Sequence, residues 1–352
     1  MQHYTFPYTE VFHCTAGDCP DSCCKGWEIV IDPKTLQTYQ QTCSPIGETI
    51  RSTLTKNEDD EWMFQNREDG NCPFWNAEKL CDLQIQAGEH LLCDTCRQFP
   101  RIPQDYTLFT EHVLSLACPE AARLVLTQTE PFQAIPLTQA EPSEPINEAE
   151  LPYSLNWMNC LLETRAVLLQ LFQETSIPLA EALCYGLHYV QQFQDWIEEK
   201  TDDFPELQPI PRKPVFLHHE SVQHLYDTLE WMTPEWADWM QQIQQHPVTD
   251  ADLQAFIKIA EPWIPAFRNF CSYYLYLYWL QALNTGNALI QYQKLLAALH
   301  EIAIISAWKL RETHTYTLTD CMIIVQRYAK EVMHDAENIE KIEDILYNLG
   351  SL

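Results

Sequence analysis

CTAGDCPDSCCKGW, residues 14–27, sets Cys14, Cys19, Cys23 and Cys24 within eleven positions and closes on an adjacent pair. Neighbouring Cα atoms lie about 3.8 Å apart, below the roughly 4.4–6.8 Å that a disulfide usually spans, so Cys23 and Cys24 do not easily bridge to each other. Their partners are thiols elsewhere in the chain, or a metal. Cys72 follows in NCPFW, Cys81 in KLCDLQ, Cys93 and Cys96 in LLCDTCRQFPR, and Cys118 in ACPEAA; with Cys43, ten of the fourteen cysteines precede residue 119. Turn signals such as DCPDS, SPIGE and FPRIP separate them, so several thiols can reach one centre without distorting a regular element.

The opening MQHYTFPYTE lacks a basic segment followed by an apolar one, and no run of about 18 or more apolar residues follows. This predicts a soluble, cytoplasmic chain with no membrane partner. Clustered thiols in a reducing compartment serve metals or catalysis more often than disulfides. All-sulfur ligation suits zinc or an iron–sulfur cluster, and the Cys93-x-x-Cys96 spacing is shared by both and by redox dithiols. A closed zinc site takes about four ligands, so the surplus implies two sites or spare thiols. Arg97 and Arg101 follow Cys96 closely and could donate to cluster sulfurs, clamp a carboxylate, or simply form salt bridges. His13, beside Cys14, is a further candidate ligand, and the His218–His219 pair reads as surface.

Acidic side chains outnumber basic ones 50 to 21, for a net charge of −29. Such a field repels phosphate backbones and excludes nucleic acid as the expected partner, while it attracts cationic groups. None of the eight glycines falls in GxGxxG or GxxxxGK[ST], so a nucleotide-like cofactor would not be held by those loops.

The expected fold is mainly α: a cysteine-rich metal-binding domain with few short strands over residues 1–128, a Pro/Glu-rich connector over 129–152, and an α-helical domain over 153–352. Helical periodicity predicts roughly eight helices in the last part. Asp32-Pro33 is an N-cap with Pro at the first helical position and opens a helix over about 33–43; Pro119 opens another through CPEAARLVLTQ. Strands are expected at 27–31 (WEIVI) and within 106–116 (YTLFTEHVLSL). Tyr273, Tyr274, Tyr276, Tyr278 and Trp279 crowd one helix and read as core in preference to a cation cage, as do Trp231, Trp236 and Trp239.

Taken in order, FHCTAGDCPDSCCKGWEIVID, CPFWNAEKLCDLQ, GEHLLCDTCRQFPR and LACPEAARL resemble the flagellin lysine-N-methylases of the FliB type. The resemblance runs from Phe12 to about Leu124 and extends to a broader group of zinc- or iron-chelating cysteine-cluster domains. The matching thiols are Cys14, Cys19, Cys23, Cys24, Cys72, Cys81, Cys96 and Cys118, while Cys43 and Cys93 look incidental. The resemblance implies S-adenosylmethionine (SAM) as methyl donor, an iron–sulfur cluster of the 4Fe-4S type with zinc as the alternative, and a lysine of flagellin or a similar filament protein as acceptor. Arg97 and Arg101 are the candidate cofactor-binding residues. Asp18, Asp21 and the tyrosines between Tyr273 and Tyr278 are candidate proton acceptors. The rival expectations are a non-catalytic zinc- or iron-binding protein and a redox protein using Cys93 and Cys96.

Overall fold

A computed structural model describes residues 2–137, 151–208 and 225–349. Part of the connector (138–150) and the His218–His219 pair fall outside the described residues. The architecture is mainly α, with a four-stranded and a two-stranded sheet among the described residues.

The expected caps form. Asp32 accepts from the Thr35 amide at 2.8 Å and starts the helix Pro33–Gln41, and Cys118 precedes the helix Pro119–Leu126 with Pro at its first position. The strands only partly follow expectation. β1 (Gln2–Thr5), β2 (Leu54–Lys56), β3 (Trp62–Phe64), β4 (Arg101–Asp105), β5 (Phe109–Leu114) and β6 (Ile135–Pro136) are the strands present, and WEIVI forms none. There Val30 makes a single bridge to Met63 and the Ile31 amide donates to the Trp62 carbonyl, because β3 offers only three residues to pair with. The larger sheet runs β4-β5-β1-β6, with β1 parallel to β5 and antiparallel to β6. Pro103 and Pro136 lie on its two edge strands, where a missing N–H costs no ladder bond.

Two hydrophobic cores organise these elements. The smaller contains Ile29, Ile31, Tyr39, Ile50, Phe64, Phe74, Leu83, Leu91 and Leu92 together with Cys72 and Cys93. The larger joins Phe6, Tyr8, Val113, Leu114, Ala121 and Val125 to the later helices, among them Ile264–Tyr278 and the long Ala288–Thr313. Tyr273, Tyr274, Tyr276, Tyr278 and Trp279 are all buried in it, so this run is packing. The Arg165 guanidinium meets the Glu111 carboxylate in two bonds, 2.6 and 2.8 Å, and ties the sheet to the helix Leu155–Gln173.

Candidate metal centre

A short backbone pairing brings NCPFW onto CCKG. Lys25 bridges Asn71, the Gly26 amide donates to the Gly70 carbonyl at 3.1 Å, and the Cys72 amide donates to the Cys24 carbonyl at 2.8 Å. Gly26 and Gly70 both have positive φ, +79° and +74°, a conformation that a Cβ would strain. The Cys24 and Cys72 thiols consequently stand side by side. Hydrogen bonds from Cys23 and then Cys72 hold the Cys24 thiol well below its ordinary value, while donation to Cys24, with burial second, drives Cys23 and Cys72 up.

Two other thiols reach the same place from helix starts. Cys81 caps Asp82–Ala87 and Cys93 caps Asp94–Gln98, which carries Cys96. Contact with Cys96 lowers the Cys93 thiol; contact with Cys93, then burial, raises that of Cys96, and the charges of Cys24 and Cys72 raise it further. Burial raises Cys81, with Cys24 adding to it. Cys24, Cys72, Cys81, Cys93 and Cys96 therefore form one group, seated in and against the smaller core.

The second group reaches the larger core through Cys118. Burial pushes the Cys118 thiol up to about 11, the amides of Ala121 and Glu120 oppose this, and the charges of Cys19 and Cys14 reinforce it. Burial likewise raises Cys19, whose thiol donates to the Asp21 carbonyl at 3.2 Å. Cys23 senses Cys14 and Cys118. Cys14, Cys19, Cys23 and Cys118 thus lie within electrostatic reach of one another, and the adjacent pair Cys23–Cys24 is the seam between the groups.

The seam is anchored from the far end of the chain. Nε2 of Gln326 donates both to Oδ2 of Asp21 and to the Ala117 carbonyl, each at 2.9 Å, so one side chain fixes the loop of Cys19 and Cys23 and the residue before Cys118. Lys330, buried in the π-helical turn Ala329–Met333, ion-pairs with Asp21 at 3.1 Å and lies over the Trp27 ring. These two engagements make Asp21 an anchor. Asp18 is exposed on the turn Ala16–Asp18.

The other sequence candidates are placed as follows. Arg97 bonds Asp94 at 2.7 Å and the Leu92 carbonyl; the Arg101 guanidinium lies 5.4 Å from the Phe12 ring centre. Cys43 is exposed and donates to the Gln41 carbonyl, and His13 is exposed. Cys93 joins Cys96, which the spacing had offered and the motif comparison had passed over. Lys330 and Gln326 carried no sequence signal, since their partners lie three hundred residues away.

Among the described residues, no group of three or more His, Cys, Asp or Glu side chains stands arranged to hold a metal ion. Hydrogen bonds between free thiols join Cys24 to both Cys23 and Cys72, and Cys93 to Cys96. The donor chemistry fits a thiophilic centre: every member is sulfur, and most are partly or fully buried.

Fold and site together define a mainly α protein built around a bipartite thiol cluster. Flagellar biosynthetic protein FliU from Salmonella muenchen is 34% identical to the chain over 120 residues, a third of this chain and 71% of FliU. Two proteins named lysine-N-methylase, from Salmonella typhimurium and Salmonella choleraesuis, are also 34% identical over 120 residues, and there the match spans 30% of their length. The chain belongs to the FliB-type flagellar lysine methylase family. No family model matches the chain, and no solved structure matches it. Among the described residues no helix is long and apolar enough to cross a membrane.

Proposed function

We propose that the chain is a SAM-dependent protein-lysine N-methyltransferase that acts on flagellin or a similar filament subunit in the cytoplasm. The observation that carries this reading is the kinship with proteins named lysine-N-methylase and with a flagellar biosynthetic protein. Methyl transfer from a sulfonium to an amine calls for in-line positioning, desolvation and a proton acceptor. An acidic surface of net charge −29 steers a lysine-rich partner towards the protein.

An iron–sulfur cluster is the cofactor proposed for the thiols. Cys24, Cys72, Cys81, Cys93 and Cys96 would supply one set of ligands and Cys14, Cys19, Cys23 and Cys118 the other. A cluster bound there would staple the cysteine segments together, and an iron with an open position would supply a chelating site for the amino and carboxylate groups of SAM, with Arg97 and Arg101 as the proposed cofactor-binding residues.

Anaerobic purification with metal and sulfide analysis tests the cluster, and incubation with SAM and candidate filament proteins tests the reaction. Iron with sulfide and mass increments on lysine are the expected results. Stoichiometric zinc in a colourless protein removes the cluster, and an absence of SAM binding and methylated lysine removes the enzyme in favour of a metal-binding protein.

A further inference from the structure

The helix Ala288–Thr313 is apolar along most of its buried length, yet it carries Glu301 with 5% of its surface exposed. Among the described residues no hydrogen bond reaches the Glu301 carboxyl, and the charge acting on it is a second acid, Asp227. A carboxyl this deeply placed is costly to ionise, and an adjacent acid raises the cost. The group is not sealed in the core. It lines a cleft with Tyr226, Asp227, Trp231, Met240 and His300, whose interior has room for about 20 Å³. That space takes one water or one ammonium-sized group.

The lining sets Glu301, and an Asp227 whose Oδ1 accepts from Gln244 at 2.8 Å, beside the rings of Tyr226 and Trp231, which complements an alkylammonium. Burial, with Asp227 second, pushes the carboxyl up to about 8. An entering cation opposes the shift, because an opposite charge favours the ionised carboxylate.

The cleft is also joined to the thiol loop. Trp231 belongs to a segment held on one side by Asn338, which exchanges hydrogen bonds with the Glu230 backbone, and by Glu331, which accepts from the Met232 amide at 2.7 Å. On the other side the Thr233 methyl lies where it would meet a Cβ at Gly26, and Glu235 pairs with Lys25 at 3.0 Å. One short stretch therefore walls the cleft and abuts the segment of Cys23 and Cys24.

We propose that this cleft receives the side-chain ammonium of the acceptor lysine, with Trp231 as its aromatic wall and Glu301 as the carboxylate that pairs with it and takes its proton. In the reaction the proton passes from nitrogen to the Glu301 carboxylate and the freed lone pair bonds the methyl carbon. The carbon–sulfur electron pair stays on the sulfur of the methyl donor, which leaves as a thioether. The choice of lysine rests on the methylation reading, whereas the binding test below does not use methyl transfer.

Isothermal titration of the full chain with Nα-acetyl-lysine amide, and with the uncharged Nα-acetyl-norleucine amide, reads the site directly. The expected result is saturable binding of the lysine compound alone, weakened at least tenfold in Glu301→Gln and in Trp231→Ala, with circular dichroism unchanged. Equal binding of both compounds, binding of neither, or full binding by Glu301→Gln overturns the proposal. The unmodified chain gives an independent reading: its infrared band from a buried neutral carboxylic acid disappears when the lysine compound is added, and persistence of that band counts against the site. Methyl transfer retained by Glu301→Gln with unchanged KM removes the cleft and leaves the methylation reading intact. Amine binding in a chain that methylates nothing sustains the cleft and removes that reading.

Discussion

The Lys330 ammonium lies within 3.2 Å of both carboxylate oxygens of Asp21, so the most buried cation near the thiols grips the loop between Cys19 and Cys23. Lys330→Met would leave Asp21 with Gln326 alone. The expected cost is about 2 kcal/mol of unfolding free energy, read by urea titration, with a loss of metal per chain after reconstitution. Unchanged metal content would show that the anchor is dispensable for ligation.

The two thiol groups make a prediction about coupling. Cys23→Ser and Cys118→Ser should alter metal content alike and show little further loss when combined, because both would damage one centre. Cys23→Ser with Cys72→Ser should be additive, because they would damage two. Metal counting on the three single and two double variants decides it, and uniform additivity would mean that the seam at Cys23–Cys24 does not divide function.

Arg165→Ala leaves the Glu111 carboxylate buried and unpaired, since both side chains are almost fully enclosed. The expected destabilisation is about 3–5 kcal/mol, seen as a lowered denaturation midpoint. Arg165→Lys should recover only part of it, because an ammonium cannot repeat the two parallel bonds.

Glu301 gives the protein a pH dependence whose sign is fixed. Its folded value of about 8 stands above the ordinary 4.5, so the native state holds a proton that the unfolded chain has released. The contribution is fully present below about pH 4.5 and is lost as pH rises through about 8. Glu301→Gln should remove this slope, on the order of 4 kcal/mol across the window, in melting temperatures measured from pH 5 to 9. Asp227, the acid facing it, remains in the variant.

How much of this was legible depends on the distance between partners. Asp32-Pro33 and Cys118-Pro119 announced their helices because a cap is decided within four residues. β1 and β6 went unread because their pairing is non-local: Gln2 sits opposite Phe109, and Thr5 opposite Ile135. Pro100 and Pro103 disguised β4 as a turn. The cysteines pointed to a shared chemistry, but their division into two groups emerges only when the fold brings Cys14 within electrostatic reach of Cys118. His300-Glu301 within AALHEIAII was a visible break in an apolar run, and it carried the one available hint of the cleft.

The π-helical turn Ala329–Met333 has a mechanical consequence. Its extra residue points two consecutive side chains at different bodies: Lys330 at the cysteine loop and Glu331 at the backbone beside Trp231. A single peptide unit thus ties the cysteine loop to the wall of the cleft, so the two share one fixed backbone reference.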